Sequence, residues 1–521
     1  MRPARSISTL RWLWKSARGL AQSRTLARRL APVPLEASWS APVLWRSGPR
    51  TRRRPSLSTI SSIVTSLFVL ASALSAASAP AHFNLISIVT DDQATWSIGA
   101  YGSRESKTPN IDRLAREGAR FLNAFTCTPV CSPSRAAFLT GRYGTQFGIT
   151  DWITLRQAKR GLGLDPAAKT WPKLLRQRGY VTGLIGKWHL GDQPQFHPTR
   201  LGFDEFTGAL AGSFKPKDPV LEVAGKPTTM PGFGADILTD AALAFIETNR
   251  ARPFALLIHH REPHAPYAPV PDEDAAVYQS LDPSVPAFPN LRTNQVKNWT
   301  REYYGAVRSV DRNLGRLLAR LDETGLATNT IVMFTSDHGY MIGHHGLHHK
   351  GNARWIAGGS TGPTRPNMFE ESIRIPLLIR WPGVVRPGLE IAEPVSNIDT
   401  WASVLGMLGF NAPRGWKQEG RDFTPLLRGR PYKPRDAIFS QYDLHNGGLA
   451  HMRMARKADW KLVRHYLTSG MDELYDLKND PGETKNLYDA PSAAAARDAL
   501  QQQLTAWMRS INDPLLPKLK E

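Results

Sequence analysis

Cys131-Ser132-Pro133-Ser134-Arg135-Ala136-Ala137-Phe138-Leu139-Thr140-Gly141-Arg142 puts a thiol on a turn, with a proline and an arginine close behind it and an apolar run after them. Pro133 fixes φ and lacks an N–H, so the chain around it reads as a turn or a helix start. A helix running from about Ser134 aims its N-terminal amides and the Arg135 guanidinium at whatever binds beside Cys131, which makes an anion site. The plain alternative is a small buried cysteine ahead of an ordinary helix.

Outward from that stretch, short apolar runs end in polar clusters. Phe83 to Thr90 reads as a buried parallel strand that delivers Asp91 and Asp92 at its C-terminal end. Thr330 to Thr335 does the same for Asp337 and His338. Adjacent carboxylates repel unless a cation neutralises them, and hard divalent ions take such oxygen ligands. One Asp-Asp pair also reads as a solvated turn, but two strands bringing acids to one sheet edge favour a metal. Ligand sites in open α/β sheets lie at that edge. Tyr180 to Ile185 is a further strand, followed by Gly186-Lys187-Trp188-His189, where an extended backbone puts Lys187 and His189 on one face. Phe254 to Ile258 precedes His259-His260-Arg261-Glu262-Pro263-His264-Ala265-Pro266.

Helices are expected between these strands. Ile111, Leu114 and Ala115 mark one face of a helix over 111–118. Val307, Val310, Leu314, Leu317, Leu318 and Leu321 mark a longer one stopped by Gly325. Residues 268–300 are Pro-rich and read as a loop over the site, with a glycosylation sequon by pattern at Asn298-Trp299-Thr300. Leu377 to Ile379 is a strand and Thr400 to Leu408 a helix. Past about 430 the character changes, with hairpin strands around 454–463 and 473–477, a turn at Asp480-Pro481-Gly482-Glu483, and a helix from Ala493 to Met508.

Composition bounds the function class. Of the net charge of +21, residues 1–54 hold +12, from 13 Lys/Arg against Glu36 alone, which leaves +9 for the rest. The high basicity therefore reports the leader, and no helix-turn-helix, zinc-finger or aromatic-basic motif supports nucleic-acid binding. Thr51-Arg52-Arg53-Arg54-Pro55, the apolar run Ile63 to Leu74 and Ala77-Ser78-Ala79 have the layout of a secretory signal peptide, with a weak twin-Arg possibility. The run is too short and Ser-rich for a stable membrane span, so a secreted or periplasmic protein is expected. The His-dense stretch Gly343 to Lys350, read by itself, suggests a transition-metal site.

C-S-P-S-R followed by T-G-R resembles the signature of the formylglycine-dependent sulfatases, members of the alkaline-phosphatase-like superfamily. T-P-N-I-D-R-L-A-R-E-G at 108–118, G-K-W-H-L-G at 186–191, the H-x-P context near 264, S-D-H-G at 336–339 and E-E-S-I-R-I-P at 370–376 extend the likeness to the C-terminal helix. The resemblance implies an α/β fold: a large catalytic domain over 81–425, built on a mostly parallel mixed sheet flanked by helices. A small antiparallel-sheet-and-helix subdomain over 426–521 and a basic leader over 1–80 complete it. It implies that a maturation enzyme oxidises Cys131 to formylglycine, whose hydrate attacks sulfur. It assigns Asp91, Asp92, residue 131, Asp337 and His338 to one divalent cation, Ca2+ in the family. His338 stands where asparagine is commoner, so a nitrogen ligand leaves the metal's identity open. Arg135, Lys187, His189, His264 (with His260 as rival) and Lys350 take the catalytic roles around a sulfated small-molecule or glycan substrate. Gly351 to Pro366 is an insertion relative to many relatives and loosens the assignment of Lys350. The other functions open to this sequence are a phosphodiesterase or phosphonate monoester hydrolase on the same scaffold, and a non-catalytic sulfated-glycan-binding protein. The segments 212–235, 268–300 and 351–366 carry no legible substrate pattern.

Overall fold

A computed structural model describes residues 82–358, 362–468 and 470–519 of the chain. The basic leader and the signal-like layout lie outside the described residues. Among those described, no helix is long and apolar enough to cross a membrane.

Four parallel strands form the centre of a ten-stranded sheet: β1 (Asn84–Thr90), β2 (Val181–Lys187), β3 (Phe254–His259) and β4 (Thr330–Ser336), in the spatial order β4-β1-β3-β2. Leu377–Arg380 pairs antiparallel with β4, and shorter strands extend both edges. β1 and β4 are buried along their whole length, which is why they read as continuous apolar runs.

The two-residue period of the strands sorts their side chains between two cores. Leu85 and Val89 of β1 join Leu257, Met333 and the helix residues Ala136, Leu139 and Trp171 on one face. Ile86 and Ile88 join Leu256, Phe334 and the helix residues Leu238, Phe245, Val310 and Leu314 on the other. Helices thus cover both faces, the arrangement that buries a parallel sheet.

A separate four-stranded antiparallel sheet runs Ile438–Leu444, Ala450–Lys457, Trp460–Tyr466, Glu473–Asp476. The Ala494–Ser510 helix packs on it through Leu500, Leu504, Trp507 and Met508. The sequence reading missed its first strand, Ile438–Leu444, whose polar Ser440 and Gln441 are buried against residues 126–127 and 145 rather than exposed. Residues 268–300 also hold more structure than expected. A short helix covers Asp272–Ala275, and the long amphipathic helix already begins at Thr293, running to Glu323.

Candidate active site

Because β1, β2, β3 and β4 are parallel, their C-terminal ends meet on one edge, and each delivers polar residues there. β1 gives Asp91 and Asp92, β2 Lys187, β4 Asp337 and His338, and β3 the segment that leads to His264. Asp92 has φ 67, a left-handed turn that aspartate tolerates, and consecutive carboxylates that would diverge on a strand enter one pocket. Gly186 has φ 111, and a Cβ there would lie 2.0 Å from His259 O. Only glycine allows that approach of β2 to β3 just before Lys187.

Cys131 opens the site from the opposite side. α1 (Cys131–Thr140) starts at the thiol itself rather than at Ser134, after an extended Val130, and all of its residues are buried. Ser134 Oγ donates to Asp337 O, and Asn397 Nδ2 donates to Ser134 Oγ at 2.8 Å, so the helix start is fixed to the β4 turn. Cys131 Sγ lies 3.4 Å from His338 Nε2, 3.6 Å from Asp91 Oδ1 and 3.4 Å from Lys350 Nζ.

The cations are paired with the acids. Lys187 Nζ donates to Asp91 Oδ2, and Lys350 Nζ donates to Asp92 Oδ1 at 2.6 Å. Arg135 reaches Asp337 Oδ2 at 3.0 and 3.1 Å and lies 3.8 Å from Asp91. Burial disfavours the charge on Asp91, but Lys187, His264, Lys350 and Arg135 outweigh it and hold the carboxyl well below its ordinary range. Burial together with the neighbouring Asp91 and Cys131 pushes Asp92 up to about 7 despite Lys350 and His338. Against burial, the surrounding acids lift Lys350 well above the usual lysine value.

Asp91, Cys131, Asp337 and His338 each turn one donor atom to a common point, all within 4.8 Å of one another, and Asp91, Asp92 and His264 form a second such group. Two buried carboxylates on one spot, with a nitrogen and a position-131 donor beside them, fit a divalent cation, and Asp92 stands next to them in the second group. Of the four expected ligands, Asp91, Asp337 and His338 fall in the first group and Asp92 in the second.

His264 Nε2 is 3.8 Å from Asp92 Oδ2 with 26% of its side chain exposed, whereas His260 pairs with none of the acids. His264, and not its rival, faces the site. His189 enters differently from the expectation. β2 ends at Lys187 and His189 has φ 61, so the two side chains do not share a face by strand alternation. The turn sends His189 Nε2 to donate to Ile153 O at 3.0 Å and leaves Nδ1 without a partner. Burial, with Lys187 close by, holds the ring well below the usual histidine value, so it is neutral.

Lys350 lies in the site, next to Asp92 and Cys131, although the long segment 351–366 follows it. The described parts of that segment pair with each other, Arg365 N donating to Ala353 O at 2.7 Å and Gly362 N to Trp355 O at 2.8 Å. The histidines of 344–349 do not converge on one centre. His344 packs on Trp96, His348 stacks on Trp299 and bonds Tyr267, and His349 bonds Tyr340. His345 meets Glu371 at 3.1 Å beside Glu483, whose partner is Lys461. His259 was not singled out by any sequence pattern. It is buried, with Nδ1 3.1 Å from both Arg135 NH1 and Lys187 O.

A parallel sheet whose carboxyl edge gathers buried acids, cations and a helix-borne Cys131 makes a site suited to an anionic ligand. The family model Sulfatase matches residues 84–410, and the model N-sulphoglucosamine sulphohydrolase, C-terminal, matches residues 364–510. The N-acetylglucosamine-6-O-sulfatase of Bacteroides thetaiotaomicron is 27% identical over 82% of this chain and 87% of its own. The N-acetylgalactosamine-6-sulfatase of Canis lupus familiaris is 33% identical over 72% of each. A solved structure in complex with its substrate D-glucosamine-2-N,6-O-disulfate matches with a TM-score of 0.73 and 26% identity, over 83% of this chain and 99% of that one. The chain belongs to the sulfatase family, and its activity is the hydrolysis of a sulfate ester.

Proposed function

We propose that this sulfatase removes sulfate from a carbohydrate ester, with Cys131 converted to formylglycine by a maturation enzyme. The observation that carries the reading is the position of Cys131, at the first residue of α1 and within 3.6 Å of Asp91, His338 and Lys350. The names of the relatives, and the sulfated glucosamine bound in the neighbouring structure, support a sugar as the alcohol.

Asp91, Asp92, Asp337, His338 and residue 131 would hold a divalent cation, Ca2+ by family. Such an ion supplies charge neutralisation at the sulfate oxygens. Arg135, Lys187 and Lys350 set three further positive charges around the same spot, where burial strengthens their hold on charge that grows on the sulfate oxygens during transfer. Position 131, as formylglycine hydrate, would supply the hydroxyl nucleophile for in-line displacement of the alcohol at sulfur. His264, the site residue that faces the opening, or Lys350 protonates the departing oxygen. Release of inorganic sulfate from position 131 would need a base to take the proton of the remaining hydroxyl there. Neutral His189, with Nε2 donating to Ile153 O and Nδ1 open as an acceptor, is suited to take that proton.

The signal-like layout at 51–79 supports an exported enzyme, secreted or periplasmic. A catalytic domain over 81–425 and a subdomain over 426–521 accord with the two sheets described above. The experiment is sulfate release from aryl sulfates and sulfated sugars by protein co-produced with a formylglycine-generating enzyme. The expected result is turnover of a sulfated hexosamine. Faster hydrolysis of aryl phosphodiesters than of any sulfate would overturn it.

A further inference from the structure

We propose that Asn367 is a positioning residue that holds Lys350 in the site by joining the chain after Lys350 to the chain that returns before Met368. The inference rests on the sulfatase reading, which gives Lys350 its role.

Lys350 sits where the chain departs into an insertion, an unfavourable place for a side chain that must be held accurately. Asn367, where the chain returns, is completely buried. Its Nδ2 donates to Lys350 O at 2.8 Å and to Arg365 O at 3.4 Å. Its Oδ1 accepts from Ser372 Oγ at 2.8 Å and from Phe369 N at 3.3 Å. Its main-chain N donates to Gly351 O at 3.0 Å. On the other side Gly351 N donates to Pro129 O at 3.2 Å, two residues before Cys131. A Cβ at Gly351 would lie 2.5 Å from the Pro129 ring, so the contact is close.

The backbone of Lys350 is thus clamped between Asn367 and the segment that carries the nucleophile. Only an amide donates to two carbonyls while accepting from a hydroxyl and an N–H. Aspartate has the same shape and lacks the donors, so it would turn a charge toward two carbonyl oxygens.

The test compares wild type, Lys350→Ala, Asn367→Ala, Asn367→Asp and the double variant Lys350→Ala/Asn367→Ala, all matured and full length, on one aryl sulfate. Asn367→Ala is expected to lower kcat by about 10–100-fold with little change in KM. In the Lys350→Ala background the same substitution should cost less than about twofold, because its effect passes through Lys350. Asn367→Asp should be at least as damaging as Asn367→Ala. A residue that only supported the fold would lower kcat equally in both backgrounds, and that result overturns the inference. So does an unchanged kcat in Asn367→Ala. If Asn367→Ala fails to fold, Ser372→Ala, which keeps the amide but removes one of its partners, should show the same dependence on Lys350 at about 2–3-fold; equal losses in both backgrounds overturn the proposal there too. An inactive wild type, or a Lys350→Ala enzyme with full activity, would instead strike the sulfatase reading or its assignment of Lys350.

Discussion

Arg135 meets Asp337 through two nitrogens, Nε at 3.1 Å and NH2 at 3.0 Å, and both land on Oδ2. The other oxygen, Oδ1, is left for the main-chain N of Asp92 at 3.4 Å and for His338 Nε2 at 3.3 Å, on the side where a cation would sit. The helix that presents Cys131 is thereby tied to Asp337, one of the proposed metal ligands, by a buried pair. Arg135→Ala leaves Oδ2 of that acid without its cation and should destabilise the protein by about 3–5 kcal/mol. Arg135→Lys restores the charge but not the two-nitrogen contact. It should recover most of the stability while keeping activity at least about tenfold down. Thermal unfolding and sulfate release on the same preparations check both.

Asp337→Asn keeps the shape and removes one ligand charge. Bound divalent metal, measured by elemental analysis, should fall from about one per chain towards none, and sulfate release by about 100-fold or more. Full activity with no bound metal would contradict the assignment of the acids.

If His264 assists the leaving group, its loss must depend on the alcohol. His264→Ala should slow hydrolysis of a sugar sulfate by about 100-fold or more, while an aryl sulfate with an acidic phenol suffers far less. Equal losses on both would make His264 a binding group only.

Several buried histidines make the fold sensitive to acid. Burial pushes His260 down to about 4 from the ordinary 6.5, and burial with Lys350 and Arg354 nearby does the same for His349. The folded state prefers the neutral rings, while the unfolded chain binds protons near 6.5. Their contribution is therefore complete above about pH 6.5 and is lost as the pH falls towards 4, at up to about 1.4 kcal/mol per pH unit for each ring. The Tm of the wild type should fall relative to that of His260→Gln as the pH drops through that window. Parallel pH dependences of Tm in the two proteins would refute this.

The strands and their acids were legible because a buried parallel strand is an apolar run with a defined end, and the sheet brings those ends together whatever lies between. Cys131, Arg135 and Lys187 were legible through local motifs. What escaped depends on single backbone torsions or on contacts far apart in sequence. The left-handed turns at Asp92 and His189 have no glycine to announce them. The Ile438–Leu444 strand buries its polar Ser440 and Gln441 against residues 126–127 and 145, so its pattern does not alternate. His259 reads as one histidine in a cluster until Arg135 is placed beside it. The insertion made Lys350 ambiguous because sequence spacing cannot reveal that the chain returns at Asn367 beside Gly351.

Sulfate release by the matured protein, set beside Cys131→Ala on a panel of sulfated hexosamines and aryl sulfates, with the mass of the peptide containing position 131 recorded in parallel, is the decisive measurement. A peptide mass showing the aldehyde, turnover of a sulfated sugar by the matured protein, and none by Cys131→Ala are expected. Equal turnover by Cys131→Ala, or an unmodified thiol in a fully active enzyme, would contradict a nucleophile at that position.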